Sequence, residues 1–203
     1  TSGGGAPLQG AGIVVSPLCA ALGAQIDQLD EVAERAALAS DVYDAYDPDR
    51  PADQAPPPPP PGFQRLSDDP QKMREFFKGR LSDEQIKNLT APDNSSYRAA
   101  IYQNEAGKTF VVFRGTENKE GLADWKVNFS QGSGFGSQHY EASKELATAV
   151  SQTVGPENME VVGHSKGGGM AAAGGTVTGA KTTTFNSAGL HGNTVEGYDL
   201  SKS

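Results

Sequence analysis

The sequence predicts an α/β fold, a sheet flanked by helices, on three observations. Two runs rich in β-branched and aromatic residues, Tyr97–Tyr102 (YRAAIY) and Thr109–Phe113 (TFVVF), flank the turn Asn104-Glu105-Ala106-Gly107 and read as a β-hairpin. Two more short runs, Met159–Val162 and Thr182–Phe185, read as strands. Helical spacing fills the intervals between them. Hairpin, helix, strand, helix, strand is the alternation of an α/β sheet.

In chain order, residues 1–16 are glycine-rich and predict a flexible leader. From Pro17 to about Ala45 the pattern is helical: Leu22, Ile26, Leu29, Ala33 and Ala36 recur at three- and four-residue spacing, with acidic residues mostly opposite. Cys19, in the apolar run PLCAALGAQI, reads as a small buried hydrophobe. Six consecutive prolines, Pro56–Pro61, then predict a stiff polyproline strap. Two short helices follow, one opened by Ser67-Asp68-Asp69-Pro70 and one by Ser82-Asp83-Glu84-Gln85, a capping-box pattern. After the hairpin, a helix runs from about Gln138 to Thr153, with Ala142, Leu146, Ala149 and Val150 inward. The strand at Met159 leads into a glycine- and alanine-rich helix ending near Gly179. The domain organisation expected is a leader (1–16), a helical and proline-rich extension packing on the core (17–92), and an α/β core (93–203) that continues beyond Ser203.

Composition excludes several function classes. The 17 basic residues are outnumbered by 25 acidic ones, for a net charge of −8, and no basic stripe interleaved with aromatics exists for nucleic acid. A single cysteine forbids an intramolecular disulfide, and there is no Cys/His cluster for zinc, so neither metal nor cofactor is expected. The amino terminus lacks the pattern of a signal peptide, and no apolar run approaches the ~20 residues that span a bilayer.

The stretch VVGHSKGGGM, 161–170, carries the chemistry. A serine hydroxyl is a weak nucleophile at neutral pH and needs a sharp turn, a base and oxyanion donors. Gly163-His164-Ser165-Lys166-Gly167 has the glycine-x-serine-x-glycine form that sets a serine at a strained strand-to-helix corner. Each of Gly167, Gly168 and Gly169 would cost a helix interior about 1 kcal/mol relative to alanine, so their density implies a helix pressed onto its strand. The competing reading is a plain glycine-packed or phosphate-binding turn. The spacing of a dinucleotide fingerprint and the ending of a P-loop are both missing.

A second segment narrows the reading. Phe113-Arg114-Gly115-Thr116, Asp124-Trp125 and Asn128, followed by Gly163 to Gly168 and the strand TTTFNSAGLHGNT, resemble the class 3 (fungal-type) lipases, a family of α/β-hydrolases. The resemblance covers roughly residues 97–194. LASDVYDAYD and PPPPGFQRLSDDP extend it toward bacterial lipase effectors, the phospholipase toxins delivered into competitors by contact-dependent secretion. It implies an acyl nucleophile at Ser165 and an oxyanion donor at Thr116. It also implies a second oxyanion donor in the backbone N–H of Lys166. Asp124 and Trp125 become structural residues, and Arg114 a buried ion-pair partner at the strand end. Lys166 departs from the family's leucine, and its cation either favours anionic headgroups or faces solvent.

The activating partners are harder to find. His164 adjoins the nucleophile and usually supports the core, whereas His139 precedes Ser165 in the chain. No acid lies between Ser165 and His191, and Asp199 comes too early to match the family's aspartate. The expected base and acid therefore lie in a downstream segment of the same protein. Without it, residues 1–203 would be catalytically silent. The resemblance further implies a phospholipid substrate at a membrane surface, a cognate immunity protein, and delivery to the target envelope without a signal peptide. Two alternatives stand beside the phospholipase: an esterase for small soluble esters, and a hydrolase-fold binding module without catalysis.

Overall fold

A computed structural model describes residues 16–51, 53–93, 95–115 and 135–187. The expectations for the leader, Thr116, Asp124, Trp125, Asn128, His191 and Asp199 fall outside them. Among the described residues, helix α1 (Pro17–Ala45) is followed by strand β1 (Phe63–Arg65) and helices α2 (Pro70–Phe76) and α3 (Asp83–Thr90). Next come β2 (Ala99–Asn104), β3 (Thr109–Phe113), α4 (Phe135–Val154), β4 (Met159–His164), α5 (Lys166–Thr178) and β5 (Lys181–Phe185).

The strands form one sheet in the order β1-β2-β3-β4-β5. The first three pair antiparallel; β4 and β5 join in parallel, with Phe113 opposite Gly163 and His164 opposite Phe185. Both parallel connections step the same way across the sheet. Right-handed crossovers therefore put α4 and α5 on one face. Alternate strand residues divide accordingly. Ile101, Val111, Phe113, Met159 and Val161 meet Leu146, Val150, Met170 and Ala173 on that face. Tyr102, Phe110, Val112 and Val162 meet Leu38, Ala39 and Val42 of α1 on the other. This is the expected α/β architecture.

The chain divides into two units, residues 1–34 and 35–203. Within the first, the helix is as predicted but its apolar stripe is not buried: Leu22, Ile26, Leu29 and Val32 are all at least half exposed. Cys19 is exposed as well, which corrects the buried reading. Periodicity signals an amphipathic helix but carries no information about what covers its apolar face.

Within the second unit, Arg35 bonds Glu160 of β4 through Nε at 3.1 Å and Nη2 at 2.9 Å. Glu160 is fully buried and also accepts from Thr183 at 2.8 Å. Burial alone would raise its pKa, yet the hydrogen bonds from Arg35 and Thr183 outweigh this and hold it below the ordinary value. Farther along α1, Asp41 accepts from Arg65 (2.6 Å) and Tyr102 (2.6 Å), tying the helix to β1 and β2. Arg65 also donates to the carbonyl of Pro57 and the Phe63 amide to that of Pro60, so the proline segment is fastened to the edge strand. The strand Phe63–Arg65 lay unrecognised in the sequence, being only three residues long.

The turns obey local chemistry. Ser82 and Gln85 complete the capping box of α3. For α2 the cap is Asp69, whose carboxylate accepts from the amides of Gln71 and Lys72, with Pro70 next to it. Gly107 closes the hairpin at φ +80°.

Candidate active site

The strand β4 ends at His164 and α5 begins at Lys166, so Ser165 alone makes the corner. Its backbone sits at φ 57° and ψ −124°, a region that L-residues rarely enter and that costs on the order of 1–3 kcal/mol. Three backbone hydrogen bonds brace it. Ser165 N–H donates to the Phe185 carbonyl at 2.9 Å, and the Ser165 carbonyl accepts from Gly168 (3.0 Å) and Gly169 (3.4 Å). The hydroxyl caps no amide of the helix and has no hydrogen-bond partner among the described residues.

Glycines make the corner possible. A Cβ on Gly167 would collide with the Phe113 carbonyl, one on Gly163 with the Gly167 carbonyl, and one on Gly168 would stand 2.7 Å from Ser187 Cβ. The helix is therefore pressed onto β3 and β4, as the glycine density predicted. Gly115 continues this contact: a Cβ there would lie 2.7 Å from the His164 carbonyl and 3.4 Å from Ser165 Cβ. The end of β3 thus runs directly beside the serine. Thr116, the next residue, lies outside the described residues. At the other side of Ser165, the Lys166 amide occupies the first position of α5, where backbone N–H groups have no intrahelical acceptor. A carbonyl oxygen brought to this end of the helix would meet free donors and the positive end of the helix dipole.

The two described histidines are engaged elsewhere. His164 Nδ1 is 3.1 Å from the Tyr43 hydroxyl, and the two rings meet edge-on. Tyr43 in turn lies beneath the Arg114 guanidinium, 5.6 Å from ring centroid to Cζ. Tyr43 thus engages both His164 and Arg114. His139, in the first half of α4, accepts from Lys166 Nζ at Nδ1 (2.9 Å) and meets Ser95 Oγ with Nε2 (3.1 Å). Burial, then the nearby Lys166 charge, push its pKa down to about 4, so the ring is neutral at physiological pH. Lys166 therefore does not simply face solvent. Neither His139 nor His164 hydrogen-bonds Ser165.

Sequence reasoning missed the Lys166–His139–Ser95 chain. Its signal was present only as a lysine where the resembled family has leucine, and a histidine entering a helix. Among the described residues no group of His, Cys, Asp or Glu is arranged to hold a metal. No helix there is long and apolar enough to cross a membrane.

An extracellular phospholipase A1 from Serratia liquefaciens is 34% identical over 97 residues, covering 47% of this chain and 28% of that protein. The chain thus spans less than a third of that relative's length. A family model for a phospholipase-like protein, the Tle-like phospholipase domain, matches residues 34–202, which include the whole sheet and the serine corner. The chain belongs to the family of Tle-like phospholipase domains.

Proposed function

We propose that this chain is the nucleophile-bearing part of a phospholipase A-type serine esterase that acts as an antibacterial effector. The single observation that carries the chemistry is the strained Ser165 corner, its hydroxyl without a partner among the described residues and β3 running alongside. Ser165 Oγ attacks an ester carbonyl and loses its proton to a base. The tetrahedral oxyanion collapses, the protonated lysophospholipid alkoxide leaves, and water then cleaves the acyl-serine to a fatty acid. The Lys166 amide and the Thr116 amide and hydroxyl stabilise the oxyanion from either side. The base and its acid come from a segment downstream of Ser203. Both described histidines are hydrogen-bonded elsewhere, which supports that assignment. Family membership and the extracellular phospholipase A1 relative support the lipid substrate. Delivery into a competitor's envelope and a cognate immunity protein that blocks the Ser165 entrance complete the reading.

The test is fluorophosphonate labelling of the full-length protein, followed by phospholipid hydrolysis. Ser165→Ala should abolish labelling and reduce turnover by several orders of magnitude while the protein stays folded. Thr116→Val should lower kcat by ~10–1000-fold with little change in KM. Undiminished labelling of a folded Ser165→Ala protein would reject the nucleophile.

A further inference from the structure

Lys166 follows Ser165 directly, so their Cα atoms are about 3.8 Å apart. Its ammonium is half-buried and reaches His139 Nδ1 at 2.9 Å. Because Nδ1 accepts, the ring proton sits on Nε2 and points to Ser95 Oγ at 3.1 Å. Ser95 Oγ is itself fixed by the Tyr97 amide at 3.0 Å, and the imidazole lies against the Tyr97 ring. This chain of neutral groups aims the ammonium without cancelling its charge.

Three buried cations of the fold meet carboxylates. Arg35 is matched by Glu160, Arg65 by Asp41 and Lys144 by Glu141. Lys166 has no carboxylate partner among the described residues, and its contact with His139 uses one of three N–H donors. A partly desolvated cation that no described carboxylate meets is costly to hold, and burial accordingly lowers its pKa. Such an arrangement is stabilised by an anion that arrives with the ligand. The amino-terminal end of α5, thirteen residues long, adds its dipole at the same place.

We infer that Lys166, held by His139 and Ser95, binds the phosphodiester of a glycerophospholipid while the acyl ester of the same glycerol stands over Ser165. The inference rests on the esterase reading above and adds what selects the substrate. Phosphate and acyl ester share one glycerol, so a cation on the residue after the nucleophile is placed to read one while the serine attacks the other. The ligand chemistry is a phosphate oxygen; a free phosphate ion shares it.

The experiment uses the full-length protein carrying Ser165→Ala, so that binding is read without turnover. Dihexanoyl phosphatidylcholine, dihexanoylglycerol and inorganic phosphate are titrated by calorimetry. The phospholipid should bind ~10–100-fold more tightly than the phosphate-free lipid, the range for a charge-assisted hydrogen bond. Adding Lys166→Met should erase that preference, and Lys166→Arg should keep most of it. Equal affinity for the two lipids, or a preference that survives in a folded Lys166→Met protein, would overturn the inference. Lys166-dependent binding of inorganic phosphate without any preference between the lipids would assign the site to free phosphate and overturn it too. Hydrolysis by protein with Ser165 intact separates the two readings. No turnover with Lys166-dependent phospholipid binding rejects the esterase and leaves the phosphate site. Turnover without that binding preference does the reverse.

Discussion

Gly167 lies against the carbonyl of Phe113, so closely that no side chain fits between α5 and the end of β3. This contact sets the distance between the serine corner and the strand beside it. Gly167→Ala is expected to destabilise the fold by about 1–3 kcal/mol, because the obstruction is backbone and cannot rotate away. Esterase activity should fall further than stability alone explains, since the helix must lift from β3. Urea melts and ester hydrolysis, compared at a temperature where the variant remains folded, check both parts.

Ser165 holds a backbone conformation suited to glycine, at φ 57°. Ser165→Gly should therefore melt higher than Ser165→Ala, although both lack the hydroxyl. Relief of strain should exceed the entropy glycine costs by roughly 1 kcal/mol, equivalent to ~2–4 °C for a chain of this size. Equal melting temperatures would mean that the corner stores no strain.

The Arg35–Glu160 pair is buried at both ends. Arg35→Met should cost about 3 kcal/mol at neutral pH, because it strips the main partner from a buried carboxylate. Lys108 and Lys181, at 3.3 and 3.9 Å, are too exposed to replace it fully. The pKa of Glu160 is lowered in the fold, so its contribution is full above the ordinary value of 4.5 and is lost as pH falls below it. The deficit of the variant should shrink in that acidic range, as chemical denaturation at stepped pH would reveal.

His139 gives a second and separate pH dependence. Its pKa drops from an ordinary 6.5 to about 4 in the fold, so the unfolded chain binds the proton more readily. Stability from this group is complete above pH 6.5 and declines as pH falls toward 4, by up to about 3 kcal/mol. A folded His139→Gln protein should show a flatter profile across that window. An unchanged slope would mean that the imidazole is not held neutral.

Much of this fold was legible because its signals are local. The hairpin was marked by β-branched runs around Gly107, α3 by Ser82 and Gln85, and the nucleophile corner by its glycines. What stayed hidden depends on distant residues. The strand Phe63–Arg65 is defined by its register with Tyr102–Asn104 and not by its own three side chains. Leu22, Ile26 and Leu29 have helical spacing, yet spacing does not say whether a surface awaits them. The contact between His139 and Lys166 spans 27 residues and exists only once α4 and α5 are set on the sheet. Gly115, by contrast, was named in the sequence for its family pattern, and the structure supplies the physical reason in its approach to Ser165.

The clasp between Arg35 and Glu160 also marks an edge. Arg35 is the first side chain of α1 to be buried, and the family match begins at residue 34. What this architecture shares with its relatives therefore starts where a helix first gains a buried counter-charge. Ahead of that residue the apolar side chains Leu22, Ile26, Leu29 and Val32 stay at least half exposed.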